Sequence, residues 1–178
     1  MAVLEILTHP DPRLRVVARP VAAIDARLQQ LIDDMLETMY ASSGVGLAAT
    51  QVGETLRLVV IDLGRTTDDV REPAPRVLIN PRIVEADGEL VWNEGCLSVP
   101  GVRAEVQRCA RVVLEYLDRT GEPQRVEATG LEAVCIQHEL DHLEGTLYVD
   151  RLGPLEQKLT LQDYERHRAE VAAPSPPA

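Results

Sequence analysis

The spacing of apolar residues predicts three helices. From Asp25 to Ser42 they recur every three or four positions, which is typical of an amphipathic helix capped by its first residue. A second helix is predicted from about Leu131 to Leu143, before Gly145, a common helix stop. A third is predicted from Pro154 to about Val171. The chain should therefore carry an N-terminal helix, a late internal helix and a C-terminal helix.

Short apolar runs separated by proline and glycine predict strands in the middle of the chain. The polar segment from Gly64 to Arg76 contains two prolines and predicts a surface loop. The predicted strands are Leu56–Leu63, Val77–Asn80, Ile83–Val91, Arg111–Asp118 and Gln124–Ala128.

Composition indicates one globular domain, which we place at residues 1–171. Hydrophobic residues make up 45% of the chain and charged residues 26%, both close to globular averages. The last residues, 172–178, read AAPSPPA and predict a disordered tail. Aromatic residues are only 3% and Phe is absent, so the core must be aliphatic and base stacking is disfavoured.

Charge and cysteine content exclude several classes of function. The net charge of −11 would repel phosphate backbones and anionic lipids, so we expect no DNA partner and no membrane partner. The opening residues lack a signal-peptide pattern and no apolar run approaches the length of a membrane span, which predicts a cytoplasmic location. The 3 cysteines are odd in number and never form CxxC, so a disulfide framework is disfavoured.

The segment QHELDHLEG carries the HExxH pattern, with His138 and His142 one helical turn apart. Two imidazoles at this spacing can share one metal ion, and the intervening Glu139 is placed to act as a general base. Two surface histidines that happen to flank a glutamate are the alternative.

On a helical projection, Leu131, Val134 and Cys135 share the face of the two histidines. Ordinary core packing would explain this apolar stripe. An apolar pocket beside the metal, shaped to receive an apolar side chain, explains it equally well.

A catalytic metal usually has three protein ligands and one position for water. The HExxHxxGxxH pattern would need a histidine at position 148, where the chain has Tyr148. Glu165 lies in the last predicted helix, which reads as a solvated surface helix. The remaining candidate is Cys96 in EGCLSVP, because a thiolate is a strong soft ligand.

Three separated stretches together resemble the signature motifs of the peptide deformylase family. They are GVGLAATQ at residues 44–51, EGCLS at residues 94–98 and QHELDHLEG at residues 137–145. Their order, and the opening PDPRLR with the helix after it, are also similar to the family. The resemblance covers about residues 3–150.

The resemblance implies a metal centre and an activity. Cys96, His138 and His142 would hold one divalent ion. The implied native ion is Fe²⁺, with Zn²⁺, Ni²⁺ or Co²⁺ as substitutes. The implied reaction removes the formyl group from N-formylmethionine at the start of new polypeptides and releases formate. Glu139 would move the proton, while the side-chain amide of Gln51 and the backbone N–H of Leu97 would stabilise the oxyanion.

The resemblance also implies where N-formylmethionyl peptides bind. The segment from Gly44 through Val45 to Gly46 would pair with the peptide as an added strand. The residues implied to line or flank the bound substrate are Val45, Gly95, Arg103, Leu131, Val134 and Cys135. Glu94 and Asp141 would orient the metal ligands.

The implied fold is α+β, with antiparallel β-sheets around a central HExxH helix, an N-terminal helix and a C-terminal helix. Some family members dock on the ribosome through a basic C-terminal helix. Residues 151–170 carry four basic and four acidic side chains here, so we expect ribosome association to be weak at most, and we expect a monomer. An HExxH zinc endopeptidase and a non-catalytic metal-binding module are the alternatives, with copper electron transfer a remote one.

Overall fold

The computed structural model describes residues 2–67 and 70–172. The described part of the chain forms three α-helices and nine strands. The helices are α1 (Ala26–Ala41), α2 (Gly130–Leu143) and α3 (Pro154–Ala172). The strands are β1 (Gly46–Ala48), β2 (Leu58–Ile61), β3 (Arg65–Thr67), β4 (Val70–Glu72), β5 (Arg76–Asp87), β6 (Leu90–Cys96), β7 (Val99–Arg108), β8 (Arg111–Leu117) and β9 (Pro123–Thr129). Short 3₁₀ turns lie at Pro12–Arg15, Ala49–Val52 and Tyr148–Arg151.

The three predicted helices are present. The carboxylate of Asp25 caps α1 by accepting a hydrogen bond from the backbone N–H of Leu28 at 2.9 Å. Because the named strands pair antiparallel and follow one another between α1 and α2 without βαβ crossovers, the predicted α+β class is confirmed. The tail predicted at 172–178 lies outside the described residues, apart from Ala172, which ends α3.

Several details of the predicted strands are wrong, among them the strand predicted at Ile83–Val91, which crosses the turn between β5 and β6. Instead of a loop, β3 and β4 form a ribbon of three backbone pairs, too short to show an apolar alternation. The predicted break at Pro81 falls inside β5, where a register shift between Ile79 and Arg82 accommodates a residue without an N–H. Strand β7 is absent from the predicted strands; it contains a proline, Pro100, at its second residue, where a strand tolerates the missing N–H.

A five-stranded antiparallel sheet in the order β1-β2-β5-β8-β9 forms the centre of the fold. Its strand β2 is covered on both faces, which explains why its sequence is apolar without alternation. Leu58 and Val60 pack on the side of α1, whereas Val59 and Ile61 pack with residues of α2.

The second layer is the antiparallel ribbon of β6 and β7, which packs against α3 and the turn at 148–151. Val106, Tyr148 and Tyr164 belong to this smaller core. The ribbon brings the C-terminal end of β6 next to α2. Among the described residues, no helix has both the length and the apolar content needed to cross a bilayer.

Candidate active site

Two elements bring three metal-ligating side chains together. Cys96 ends β6, while His138 and His142 lie one turn apart on α2. One ligand atom from each of the three lies within 4.8 Å of the others, and the Cys96 sulfur is 3.3 Å from Nε2 of His142. The three sequence-predicted ligands thus converge on one point.

A buried ionic network holds one of the imidazoles. Nδ1 of His138 lies 2.7 Å from Oε2 of Glu94. Arg108 donates hydrogen bonds to both oxygens of Glu94 and, at 2.6 Å, to Asp141. The side chains of Arg108 and Glu94 are each only 3% exposed, so neither charge is solvated by bulk water.

The network sets the ionisation of these groups. Burial alone would raise the pKa of Glu94, but hydrogen bonds from Arg108 and His138 outweigh it and lower that pKa. Burial opposes the charged form of His138, yet its contacts with Cys96 and Glu94 raise the pKa of this imidazole well above its ordinary value. For His142, burial lowers the pKa.

Glu139 points its carboxylate into the same site. The residue is 5% exposed, and its Oε2 atom is buried without a hydrogen-bond partner. Burial raises the pKa of Glu139 to about 7. Gly46 lies directly against this carboxylate, since a Cβ atom at Gly46 would fall 2.8 Å from the carboxyl carbon. The absent side chain of Gly46 is therefore what leaves room for Glu139.

Both polar atoms of the Gln51 side chain have hydrogen-bond partners. Its Oε1 accepts a hydrogen bond from the backbone N–H of Ala48 at 2.9 Å and closes the 3₁₀ turn. Its Nε2 faces Ser98 Oγ at 3.1 Å and the Cys96 sulfur at 3.7 Å. The turn-capping role and the position beside the metal ligands are thus compatible. Leu97 lies in the turn that joins β6 to β7.

A cavity of about 810 Å³ opens over these groups. Val134 and Cys135 form a buried part of its wall at 3% and 5% exposure, while Val45 and Leu131 are exposed at 42% each. All the sequence-predicted catalytic and substrate-binding residues line it, as do the ligands Cys96 and His138. His142 lies deeper, at 1% exposure. The residues lining this cavity include Gly44, Val45, Gly46, Gln51, Gly95, Leu97, Arg103, Leu131, Val134, Cys135 and Glu139.

Two glycines at the rim of the cavity allow close contacts with neighbouring side chains. Arg103 crosses over Gly95, where a Cβ atom would lie 3.1 Å from the guanidinium, and donates to the backbone oxygen of Asn93 at 2.5 Å. At Gly44 a Cβ atom would fall 2.9 Å from the side chain of Leu97. Both glycines therefore permit contacts that any larger residue would disturb.

Sequence reasoning missed Arg108 and Trp92. Arg108 follows Ala104 and Val106 on the inward face of β7. An arginine that continues an alternating series of apolar residues is the sequence feature that could have indicated its burial. Trp92 lines the cavity. It lies two residues before Glu94 on β6, and this relation was hidden because the strand was predicted to end at Val91.

The donor set suits a single divalent ion. A thiolate with two imidazoles is a strong set for first-row metals, and three protein ligands leave one position open. The buried Oε2 atom of Glu139 has no hydrogen-bond partner, as expected for a group that bonds to a molecule held in the site. An α+β domain with such donors beside a buried carboxylate, at the floor of an open cavity, defines a metal-dependent hydrolase.

Comparison with known proteins agrees with this class. Residues 3–158 match the family model for polypeptide deformylase. Over 158 residues the chain is 55% identical to the peptide deformylase of Chromobacterium violaceum, covering 89% of this chain and 92% of the relative. A crystal structure of a peptide deformylase from Legionella pneumophila superposes with a TM-score of 0.87 and 45% identity, covering 97% of this chain and all of the other.

A second similar structure contains a peptide. It is the Met-Ala-Ser bound crystal structure of a class I type b peptide deformylase from Acinetobacter baumannii. It has a TM-score of 0.78 and 34% identity, with 85% of this chain and 99% of the other covered. The chain belongs to the polypeptide deformylase family. It is a metal-dependent hydrolase that removes the formyl group from N-terminal methionine.

Proposed function

We propose that deformylation takes place at the point where Cys96, His138 and His142 converge, with Glu139 moving the proton. One observation carries this proposal: the three ligand atoms lie within 4.8 Å of one another beside a buried carboxylate oxygen that has no partner. No other group of three metal-ligating side chains was found in residues 2–67 and 70–172.

The proposed cofactor is one divalent ion, with Fe²⁺ as the native metal and Zn²⁺, Ni²⁺ or Co²⁺ as substitutes. When bound, such an ion lowers the pKa of a coordinated water towards ~7 and polarises the formyl carbonyl. The mixture of thiolate and imidazole donors supports an ion of this borderline-soft type. Glu94 would keep His138 in the tautomer that offers Nε2 as donor, because it accepts from Nδ1.

Glu139 would accept the proton of the attacking water and deliver it to the departing amine. Its place supports this role, because the carboxylate lies against Gly46 and Glu139 lines the cavity beside the metal-ligating side chains. Burial also keeps bulk water from competing for the same oxygen.

Gln51 and Leu97 would stabilise the oxyanion of the tetrahedral intermediate. The amide of Gln51 cannot rotate freely, because its oxygen is fixed by the backbone N–H of Ala48 and its nitrogen by Ser98. A donor held in place before the reaction loses little energy to reorganisation, and one such donor is typically worth ~3 to 4 kcal/mol.

The peptide would lie as an added strand along the edge of the main sheet. Strand β1 is an edge strand, and Gly44 to Gly46 line the cavity beside it. The methionine side chain would enter the apolar wall made by Val134, Cys135 and Leu131, with Val45 at the rim. The Met-Ala-Ser bound to the Acinetobacter baumannii relative supports a site for a peptide that begins with methionine. Gly95 and Arg103 would flank the backbone of the peptide.

The endopeptidase alternative is not favoured. Tyr148 directs its hydroxyl to the backbone oxygen of Val102 at 3.2 Å, and Glu165 pairs with Arg168 on the exposed side of α3. Neither residue supplies the third ligand that such a protease would need.

Further proposals concern the whole chain. Nine of the 14 residues of α2 are buried, which supports its place as the central helix of the fold. A single catalytic domain over residues 1–171, a monomeric state and a cytoplasmic location remain predictions. Weak ribosome association also remains a prediction.

The test compares the wild type with Glu139→Ala, both purified without oxygen. We expect the wild type to release formate from formyl-Met-Ala-Ser and to contain one ion per chain. Glu139→Ala should keep the ion and lose at least ~10²-fold in kcat, since general base catalysis is typically worth 10²–10⁴-fold. Glu144→Ala, which removes an exposed glutamate at the end of the same helix, is the matched control. Cleavage of an internal peptide bond without formate would contradict the proposal.

A further inference from the structure

The turn at Tyr148–Arg151 lies beside the metal-binding helix because the chain reverses directly after α2. Gly145 has a left-handed φ of +68°, and a Cβ atom there would collide with the backbone of Arg15. The reversal is closed by the N–H of Thr146, which donates to the backbone oxygen of Asp141 at 2.9 Å. Only a glycine allows this turn, so the following residues return along α2.

Tyr148 covers one face of a metal ligand. Its ring stacks on the imidazole of His138 with 6.1 Å between centroids and 23° between planes. Tyr148 is 1% exposed, and its hydroxyl bonds to Val102 on β7, so the ring is itself fixed. Position 148 is where the HExxHxxGxxH pattern would place a third ligand. Here the same return of the backbone supplies a stacking partner.

Arg151 is connected to the same imidazole by a series of hydrogen-bonded charged side chains. It donates to both oxygens of Asp141, from Nε at 3.0 Å and from Nη2 at 2.5 Å. Oδ2 of Asp141 also accepts from Arg108, which holds Glu94, which in turn bonds to Nδ1 of His138. Arg151 is 49% exposed, whereas Arg108 and Glu94 are 3% exposed. The network therefore runs from the surface to the metal ligand.

We propose that Tyr148 and Arg151 are positioning residues that fix the orientation of His138 from two sides. Tyr148 fixes the plane of the ring by stacking on it. Arg151 fixes its tilt through Asp141, Arg108 and Glu94. Together they set how long the site retains its ion, since partners that orient a ligand typically change metal affinity by ~10- to 100-fold. This proposal rests on the proposed metal site.

The experiment measures metal release. Protein loaded with one equivalent of Co²⁺ is mixed with an excess of a chromogenic chelator, and the release rate and the visible spectrum of bound Co²⁺ are recorded. We expect Tyr148→Leu and Arg151→Met each to release the ion ~10- to 100-fold faster and to alter the spectrum. Tyr148→Phe keeps the stacked ring and should remain close to the wild type. Arg151→Lys, which cannot bind both oxygens of Asp141 in the same way, should be intermediate.

Arg166→Met removes an exposed arginine of α3 that pairs with Asp163, and it should release the ion at the wild-type rate. Release from both Tyr148→Leu and Arg151→Met at that rate would overturn the proposal. If Tyr148→Leu does not fold, Arg151→Met decides alone, because its side chain is half exposed. A wild type that takes up no ion would contradict the proposed function instead, so the two failures are distinguishable.

Discussion

Arg108 grips both carboxylate oxygens of Glu94, with Nε 2.7 Å from Oε1 and Nη2 3.0 Å from Oε2. A third bond ties the same guanidinium to Asp141. This paired geometry is the strongest type of ion pair in proteins, and it is formed away from water. The ionised form of Glu94 is stabilised by it, since the hydrogen bond from Arg108 lowers the pKa of this buried carboxyl.

Arg108→Met should destabilise the fold by about 3 to 5 kcal/mol, because it leaves the buried carboxylate of Glu94 without its cation and removes one of the two arginines that pair with Asp141. Urea denaturation of the metal-free protein measures this change. Arg82→Met removes an exposed arginine paired with Glu115 and should stay within about 0.5 kcal/mol of the wild type. Equal effects of the two substitutions would show that the buried network contributes no more than a surface pair.

Gly46→Ala should impair catalysis more than folding. The new methyl group would overlap the carboxylate of Glu139, which must then move away from the site. Displacement of a catalytic group by about 1 Å can cost ~10²-fold in rate, so we expect a loss of that order in kcat. Steady-state formate release measures it. Gly153→Ala is the matched control because a Cβ atom there meets no atom within 4 Å, and this variant should keep wild-type kcat.

Val134→Ala should weaken recognition of the methionine side chain. Val134 is 3% exposed in the cavity wall, and removing its methyl groups leaves a gap against the substrate. One missing methylene in an apolar pocket is worth ~1–3 kcal/mol, so kcat/KM for formyl-Met-Ala should fall roughly 10- to 200-fold. Val113→Ala is the matched control. It removes the same groups from a buried valine of β8 that does not line the cavity. Equal losses in both variants would argue against a methionine pocket at Val134.

Tyr40 should make the fold sensitive to alkali. Tyr40 is exposed as a whole, but partial desolvation of its hydroxyl, with the hydrogen bond from that hydroxyl to Asp62 at 2.6 Å, raises the pKa of Tyr40 to about 12 from 10.0. Because the folded pKa is higher than the unfolded one, the stabilisation is complete below pH 10 and is lost as the pH rises towards 12. Denaturation midpoints between these pH values should fall more steeply for the wild type than for Tyr40→Phe. Parallel curves would contradict this assignment.

Local patterns in the sequence predicted the local parts of the site. The three-to-four residue period located α1, and the four-residue spacing of His138 and His142 was enough to place both imidazoles on one face of α2. The apolar stripe of Leu131, Val134 and Cys135 was predicted by the same projection, although only the structure shows it lining a cavity.

The remaining features depend on contacts between distant segments. Cys96 contacts His142 because the β6–β7 ribbon packs beside α2, and no local sequence pattern predicts that packing. The sequence indicated Cys96 only through its donor chemistry and the family resemblance of EGCLS. Arg108 was hidden because β7, which carries Pro100 at its second residue, is absent from the predicted strands. Tyr148 stacks on His138 because the chain reverses direction at Gly145. The backbone of Arg15 packs against Gly145 and so determines the path of that reversal.

Trp92 gives the cavity a built-in optical probe. The chain contains a single tryptophan, and its indole forms part of the cavity wall at 36% exposure. Its emission therefore comes from one known place, and a peptide that covers the ring would shift the signal by replacing water. Occupancy of the cleft can thus be titrated by intrinsic fluorescence in unlabelled protein, even with compounds that are never turned over.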